Sequence, residues 1–398
     1  MPTPPHLAEA LSQRQQQGLL RQLGAGLEGV DLYSNDYLGL ARSPQLHQQI
    51  QQALADRGLL GHGATGARLL SGGTDLALEL EAELAKHFKA EAALLFNSGY
   101  VANIGLLQAI SRRQDLVLYD TLCHTSLREG IRLGLGKNYA FRHNDLSHLA
   151  DLLTRHQPSI TQQGGVIYIV VESLYSMDGD MAPLQAMVNL AQQFGAYLIV
   201  DEAHSTGLFG PDQSPSQTNH YGAGLVVRLG LEPYFFARIH TFGKAFGAHG
   251  ACVVGADSLI QYLVNFSRSF VYTTMMPAHG LMAIRESLQI QNGQGIAAGY
   301  LQLRFWDIVA IWQRLVATAG LEVVSAHSGP IQTILTPGNV RARSVAQQLQ
   351  QAGFAVKPVL SPTVPKGQER IRICLHNYNT EGELSQLLQT CAKFLLAT

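Results

Sequence analysis

Charged residues are scarce in this chain. Only 14% of its 398 residues are Asp, Glu, Lys or Arg, against about a quarter in ordinary soluble proteins, and 46% are hydrophobic. The 29 acidic and 28 basic side chains leave a formal net charge of −1, so the chain lacks the basic surplus that binds nucleic acid or acidic membranes. This composition predicts a large enzyme that buries further surface in an oligomer interface.

Cysteines and long apolar runs are also few. Cys123, Cys252, Cys374 and Cys391 are widely separated and form no CxxC pair, which argues against a zinc site or a disulfide framework. No apolar run approaches the roughly 18 residues of a membrane span, and Met1–Pro5 has no signal-peptide pattern. We therefore expect a soluble, cytoplasmic protein with reduced thiols and no metal site.

The chain instead contains short apolar runs that alternate with helical patterns. The runs predict buried strands, and residues 74–88, before the first of them, repeat leucine or phenylalanine every four positions. This succession predicts right-handed βαβ units, and so an α/β fold with a mainly parallel, doubly wound sheet. The predicted strands are Ala92–Phe96, Leu116–Tyr119, Gly165–Val171, Tyr197–Val200, Ala251–Gly255, Pro330–Leu335 and Arg370–Leu375.

Changes in pattern along the chain predict its division. An exposed amphipathic helix is expected over Leu7–Leu23, and a later helix should begin after Asp145 and end near Pro158. From about Gly299 the pattern changes to long helices with two strands. We expect an N-terminal helix and arm (residues 1–45), a large domain with the doubly wound sheet (46–298) and a smaller C-terminal α+β domain (299–398).

Two apolar runs near the middle of the chain end in reactive side chains. One leads into Asp201–His204 and the other into Thr241–Lys244. A lysine amine can form a Schiff base with a carbonyl cofactor, and a carboxylate at the end of a buried strand can keep a pyridine nitrogen protonated. The pair predicts a site for pyridoxal 5'-phosphate (PLP), with Lys244 and Asp201 as catalytic residues.

Other segments admit two interpretations each. Residues 97–103 turn from a strand into a helix that opens with small residues, which is either a phosphate site at a helix N-terminus or an ordinary turn. His124 is either a loop histidine or a ring that lies against a planar cofactor. Arg370 and Arg372 share one strand face, either as exposed edge residues or as a carboxylate clamp. Arg21 is either a solvated surface group or a contact for an anionic substrate.

Seven short motifs are distributed along nearly the whole chain: Ser34–Leu40, Leu69–Gly72, Ser98–Asn103, Ser176–Asp180, Asp201–His204, Thr241–Lys244 and Thr363–Arg372. Together and in this order they resemble the α-oxoamine synthases. These are PLP enzymes of the aspartate aminotransferase fold, fold type I, that condense an amino acid with an acyl-CoA and release CO₂. The resemblance implies the same cofactor, the same substrate classes and a homodimer with shared active sites.

The resemblance also implies roles for individual residues. Lys244 carries the cofactor and removes the Cα proton, Asp201 pairs with the pyridinium nitrogen, and His124 stacks on the ring as a third catalytic residue. Asn35 and Arg372 hold the amino-acid carboxylate. The other implied cofactor-binding residues are Ser176 and His204 near the ring hydroxyl, Gly99, Tyr100 and Thr241 at the phosphate, and Thr274, with Thr273, which reach the phosphate from a second subunit.

Some motifs bear on the substrates. His143–Asp145, Ser34–Tyr37 and Thr241–Gly247 favour the members that join L-alanine to a pimeloyl thioester over 2-amino-3-ketobutyrate CoA ligases. Ala64-Thr65 falls in a loop that shapes the amino-acid pocket. Residues 373–378 depart from the family, whose members usually carry small residues and threonines there, and this departure bears on the contacts with the acyl substrate.

Three alternative functions are compatible with these motifs. The nearest is another α-oxoamine synthase, one that makes aminoketobutyrate, aminolevulinate, a sphingoid base or a signalling aminoketone. The second is an aminotransferase on the same fold, which would release pyruvate from alanine. The third is a non-catalytic subunit that retains the fold, and the presence of Asp201, His204 and Lys244 argues against it.

Overall fold

The computed structural model describes residues 3–21, 23–210, 220–293, 299–324 and 329–395. Its strands are β1 Val30–Asp31, β2 Ala92–Phe96, β3 Leu116–Asp120, β4 Lys137–Phe141, β5 Ile167–Glu172, β6 Tyr197–Asp201, β7 Phe235–Thr241, β8 Ala251–Gly255, β9 Ile331–Leu335, β10 Phe354–Ala355, β11 Lys357–Val359 and β12 Arg370–Cys374. Its helices are α1 Pro5–Gln16, α2 Pro44–Asp56, α3 Asp75–His87, α4 Gly99–Ile110, α5 Thr125–Leu133, α6 Leu146–Gln162, α7 Leu184–Phe194, α8 Leu225–Leu229, α9 Asp257–Phe266, α10 Arg268–Val271, α11 Ala278–Gln291, α12 Tyr300–Ala319, α13 Asn339–Gln351 and α14 Glu381–Leu395. None of these helices combines the length and the apolar character that crossing a bilayer requires.

A seven-stranded sheet with the order β2-β8-β7-β6-β5-β3-β4 forms the centre of the molecule. β8 is antiparallel to both of its neighbours, and the other pairs are parallel. The α/β class and the mainly parallel sheet are thereby confirmed. The reversal at β8 has a simple cause, since residues 242–250 are too few for the crossover of a dozen or more residues that a parallel connection needs.

The central strands are buried on both faces. Along β5, Ile167, Ile169 and Val171 pack in one apolar cluster, whereas Tyr168 and Val170 pack in a second cluster on the opposite face. A strand covered on both faces has no polar face, so its sequence is a nearly continuous run of apolar residues. This is why the central strands could be located from the sequence, whereas β4, which is mostly exposed, was not predicted.

Six parallel strands end at the same edge of this sheet. β2, β3, β4, β5, β6 and β7 all run in one direction, so the segments that follow them meet there. In open α/β sheets, ligands bind at this carboxyl edge. The residues that follow β2, β3, β5, β6 and β7 include Gly99, His124, Ser176, His204 and Lys244, respectively.

Two smaller sheets contain the remaining strands. β9, β12 and β11 form an antiparallel sheet with β12 in the middle, and β1 pairs in parallel with β10 in a separate two-stranded sheet. The N-terminal arm is therefore paired with a strand more than 300 residues away, as in the register of Val30 with Phe354. The division of the chain at residues 45 and 298 stays a prediction.

Two helix boundaries differ from those expected. α1 ends at Gln16 rather than near Leu23, followed by Gly18 with a left-handed φ of 63°. None of its residues is buried, so packing does not extend it. α6 continues through Pro158 to Gln162, because Ile160 in its last turn is buried against the core and stabilises the helix beyond the proline.

A buried ion pair holds the glycine-rich loop of residues 61–73, before α3, against the sheet. Arg68 donates from Nη1 and Nη2 to the two carboxylate oxygens of Glu81 at 3.1 and 2.7 Å. Glu81 also accepts the backbone N–H of Leu95 in β2 at 2.9 Å. The side chains of Arg68 and Glu81 are only 9% and 11% exposed, so neither charge has water as an alternative partner.

Glu81→Gln should destabilise the fold strongly, because it leaves the Arg68 guanidinium buried without a carboxylate. The expected loss is about 3–5 kcal/mol of unfolding free energy. The matched control is Glu381→Gln, which breaks a pair with Arg314 whose side chains are 54% and 63% exposed. That change should cost less than about 1 kcal/mol. Thermal unfolding followed by circular dichroism compares the two, and equal midpoints would contradict this account of the loop.

Candidate active site

The Lys244 amine is buried at the carboxyl edge of the large sheet. Lys244 follows β7, and its Nζ lies 2.8 Å from Nε2 of His204, which follows β6. Burial lowers the pKa of Lys244 to about 8, although the carboxyl groups of Asp201 and Glu172 oppose the shift. An amine with this pKa is neutral in a large fraction of molecules near physiological pH, so it can act as a nucleophile or a base.

A chain of hydrogen bonds leads from Lys244 towards the N-terminal arm. His204 is buried, and this burial together with the nearby amine lowers its pKa well below the usual value. Its Nδ1 lies 2.8 Å from the Tyr37 hydroxyl, which donates to Asn35 Oδ1 at 3.1 Å. A neutral His204 that accepts from Lys244 on Nε2 therefore donates to Tyr37 through Nδ1.

Asp201 is linked to His124 through two residues. Asn103 Nδ2 donates to Asp201 Oδ2 at 2.8 Å and to Ser126 Oγ at 2.9 Å. Ser126 Oγ in turn lies 2.7 Å from His124 Nδ1. Sequence reasoning assigned no role to Asn103, although a polar residue one turn after Gly99 on the buried face of an apolar helix was a signal that could have identified it.

Glu172 is a second carboxyl group at the same edge, and the motifs did not identify it. It is the register partner of Asp201, because β5 and β6 end side by side. Burial, with the neighbouring Asp201 carboxylate, raises the pKa of Glu172. Its Oε1 accepts the backbone N–H of His124 at 2.5 Å and so positions that histidine. A polar residue that ends a fully apolar strand was the available signal.

The N-terminus of α4, beside β7, is the candidate for the predicted phosphate site. Gly99 is the first residue of α4, and its N-cap Ser98 accepts the N–H of Val101 at 3.3 Å. A Cβ on Gly99 would lie 3.4 Å from Cβ of Thr241, so these two predicted phosphate residues are neighbours. The helix dipole and the backbone N–H groups of the first turn favour a phosphate here. The Tyr100 side chain is half exposed, and its hydroxyl donates to Glu129.

Arg372 is the candidate for a second anion site. Its Nη2 donates to Asn35 Oδ1 at 3.1 Å and its Nε to the carbonyl of Ser176 at 2.8 Å. In the described ranges no carboxylate forms an ion pair with Arg372, whereas Arg370 on the same strand pairs with Asp178. Arg372 therefore keeps donors for a carboxylate of a substrate.

Two predicted residues lie apart from this cluster. Arg21 is exposed in the segment after α1, and no hydrogen bond or ion pair joins it to the site among the described residues. Thr274 is exposed, and its carbonyl accepts Asn97 Nδ2 at 2.9 Å. Its contact with the phosphate in a second subunit stays a prediction.

A cavity of about 540 Å³ opens beside the cluster, with His124 and Ser176 in its wall. Its volume lies within the range of small-molecule sites. Within the described part of the chain, residues 374–378 do not line it. The residues of this segment that differ from the family therefore do not form the wall of this cavity.

Residues 374–378 instead hold the 31–39 segment, which carries Asn35 and Tyr37. His376 is fully buried and stacks on Tyr378, with ring centroids 4.7 Å apart and planes at 13°. The polar contacts are His376 Nε2 with Ser34 O at 3.1 Å, Asn377 N to Tyr37 O at 2.9 Å, Asn377 Nδ2 to Leu38 O at 2.9 Å and Tyr378 OH to Asp31 Oδ2 at 3.1 Å. These contacts position Asn35 against Arg372.

Comparison with known proteins agrees with this geometry. The family model for class I and II aminotransferases matches residues 28–390. The chain belongs to this family.

Several relatives of this chain are synthases. An 8-amino-7-oxononanoate synthase of Emericella nidulans is 37% identical over 98% of this chain and 95% of its own length. That of Geobacter sulfurreducens is 33% identical over 97% of both chains. The solved 8-amino-7-oxononanoate synthase of Francisella tularensis has a TM-score of 0.75 and 26% identity, over 93% of this chain and 98% of that chain. Sphingomonas wittichii serine palmitoyltransferase shares the fold, with a TM-score of 0.85 and 24% identity over 99% and 97%.

Within this family the chain is an α-oxoamine synthase, a PLP-dependent C-acyltransferase of fold type I. The residues present fit the cofactor. A buried amine on Lys244 can attach to its aldehyde, the Asp201 carboxylate can face its pyridine nitrogen, and the start of α4 beside Thr241 can bind its phosphate.

Attachment of PLP to the apoprotein should depend on the pKa of Lys244. The rate should rise with pH with a midpoint near 8 and level only above it, because burial lowers the pKa from 10.5 to about 8 and only the neutral amine reacts. Stopped-flow absorbance of PLP measures this profile. Asp201→Asn should shift the midpoint to lower pH, because the carboxylate raises the pKa of Lys244. A rate that keeps rising to pH 10 would contradict the lowered pKa.

His376→Ala should raise the KM for the amino acid about tenfold. Without this histidine Asn35 is no longer held against Arg372, and the charge-assisted contact of the two residues with the substrate carboxylate is weakened. The KM for the acyl thioester should change little, since His376 does not line the cavity. Steady-state kinetics with each substrate varied in turn separate the two constants. His47→Ala, at an exposed histidine on α2, is the control. A proportional loss in kcat with both KM values unchanged would show that His376 does not position the amino-acid site.

Proposed function

We propose that this chain catalyses the 8-amino-7-oxononanoate synthase reaction of biotin synthesis, in which L-alanine and a pimeloyl thioester give the aminoketone, CO₂ and a free thiol. The observation that carries the proposal is the arrangement of three sites. The Arg372 anion site, the Lys244 amine and the cavity beside His124 meet at one edge of the sheet. Full-length relatives with 33% and 37% identity that bear this name support it.

Arg372 and Asn35 hold the carboxylate of the amino acid in this proposal. The guanidinium is half-buried and already oriented by Ser176 O and Asn35 Oδ1, so little ordering is left for binding. Asn35, Tyr37 and His204 form one hydrogen-bonded chain that ends at Lys244 Nζ, which supports a binding position for the amino acid with its Cα near this amine.

Lys244 Nζ accepts the proton from Cα. The lowered pKa makes a larger fraction of the amine neutral near physiological pH than in an ordinary lysine, and His204 Nε2 accepts a hydrogen bond from it. Bound PLP supplies the electron sink for the negative charge that develops at Cα. Asp201, fixed by Asn103 and by the N–H of Ala203 at 2.9 Å, favours the protonated pyridine nitrogen on which that sink depends.

The cavity receives the acyl chain. His124 and Ser176 lie in its wall, which supports binding of the thioester beside the amino-acid site. Condensation then transfers the acyl group to Cα, and the thiol and CO₂ leave.

The proposal includes a cytoplasmic homodimer. The Thr274 side chain is exposed in the single chain, so it is available to the phosphate of a second copy. All four cysteines are free and buried, which suits a reducing compartment.

Purified enzyme loaded with PLP should release free thiol and form 8-amino-7-oxononanoate from L-alanine and pimeloyl-CoA. Glycine or L-serine in place of alanine, and palmitoyl-CoA in place of pimeloyl-CoA, should react more slowly. A thiol reagent follows release and mass spectrometry identifies the product. Pyruvate formation from alanine without any thioester would instead identify an aminotransferase.

Lys244→Ala is the internal control of this experiment. Loss of a positioned base costs about 10²–10⁴ in rate, so thiol release should fall at least a hundredfold. Borohydride reduction should fix PLP on Lys244 in the unchanged enzyme and fix none at this position in the variant. Lys393→Ala, at an exposed lysine on α14, should behave as the unchanged enzyme. Substantial turnover by Lys244→Ala would refute the role of this lysine.

A further inference from the structure

The cavity beside the active site carries a cation that the fold leaves without a carboxylate. Arg128, His143 and Arg370 all contribute to its lining. Burial alone would lower the pKa of His143, but hydrogen bonds to Asp120 at 2.9 Å and Asp180 at 2.7 Å raise the pKa to about 9. Arg370 forms an ion pair with Asp178 and donates to Gln368 O at 2.8 Å. The charges of these two residues are therefore already neutralised by the protein.

Arg128 differs from both. In the described ranges its guanidinium makes one hydrogen bond, from Nη2 to Thr125 Oγ1 at a long 3.4 Å, and no carboxylate forms an ion pair with it. The side chain is half-buried on the first turns of α5. A guanidinium in this position keeps most of its five donors for a ligand, and their fork geometry matches a carboxylate.

The rest of the lining is largely apolar. It includes Leu122, Tyr175, Met177, Val324, Val364 and Pro365. Arg128 follows His124 by about one turn of α5, and its Nη2 reaches back to Thr125 Oγ1, so the guanidinium lies in the cavity wall near the N-terminus of this helix. A ligand in this cavity therefore meets apolar walls and a guanidinium that has no carboxylate partner among the described residues.

We propose that Arg128 binds the terminal carboxylate of a dicarboxylic acyl group and selects such thioesters against fatty acyl thioesters of equal length. This inference rests on the proposed function and adds the residue that determines acyl specificity. A methyl group in place of the carboxylate would leave the half-buried guanidinium without a partner, and this asymmetry produces the discrimination.

The test compares pimeloyl-CoA with heptanoyl-CoA, which has the same chain length and a methyl end. With saturating L-alanine and PLP-loaded enzyme, kcat/KM should favour pimeloyl-CoA by about 10- to 100-fold, the range of a hydrogen bond to a charged group. Arg128→Met should remove most of this preference by lowering the value for pimeloyl-CoA while that for heptanoyl-CoA changes little. Arg128→Lys should retain part of the preference, since it keeps the charge without the fork.

Two controls separate the acyl carboxylate from the phosphates of CoA as the anion. The loss in Arg128→Met should persist with pimeloyl-pantetheine, a thioester that lacks these phosphates. Arg132→Met removes a cation one turn along α5 that is exposed and outside the cavity lining, and it should leave the preference unchanged. The absorbance of bound PLP and the thermal midpoint establish that each variant is folded.

Each outcome has a distinct meaning. Equal losses for both acyl-CoAs that disappear with the pantetheine thioester would assign Arg128 to the CoA phosphates and overturn the inference. An unchanged preference in Arg128→Met, with pimeloyl-CoA still the better substrate, would overturn the inference and leave the proposed function standing. An unchanged enzyme that condenses heptanoyl-CoA as efficiently as pimeloyl-CoA would refute both.

Discussion

The burial of a lysine amine beside two carboxyl groups is the constraint on which this structure depends. Removal of charged groups from water costs several kcal/mol for each ion, and the fold offsets this cost in two ways. The pKa of Lys244 is lowered, so part of the charge is not carried at all, and His204 supplies an acceptor for the amine. Asp201 receives N–H groups from Asn103 and Ala203.

These compensations require strands in fixed register. Asp201 and Glu172 are neighbours because β6 and β5 end together, and Lys244 meets His204 because β7 lies beside β6. The doubly buried sheet supplies that rigidity, since its apolar side chains pack on both faces. The reactive groups can therefore be held in a low-dielectric site without the freedom to separate.

Selection of substrates depends on a different part of the molecule. Arg372 lies on the three-stranded antiparallel sheet, and Asn35 lies in an arm that His376 and Tyr378 hold in place. The entropic cost of closing a loop grows only slowly with its length. Buried contacts can therefore offset this cost even between residues that are more than 300 positions apart, as the arm and the C-terminal segment are. Changes in the 374–378 segment can thus alter amino-acid binding without touching the cavity.

The sequence by itself determined the fold class, the central strands of the large sheet and the cofactor chemistry, because these depend on local patterns. Apolar runs indicate strands that are buried on both faces, and Asp201–His204 and Thr241–Lys244 carry their reactive groups directly after such runs. Only the tertiary structure decided that Asn103 joins Asp201 to His124, that His376 supports the arm, that β8 is reversed and that Arg128 forms no ion pair with a carboxylate of the described residues. Each of these is a pairing between residues far apart in the chain, and no local period of the sequence specifies which distant polar groups will meet.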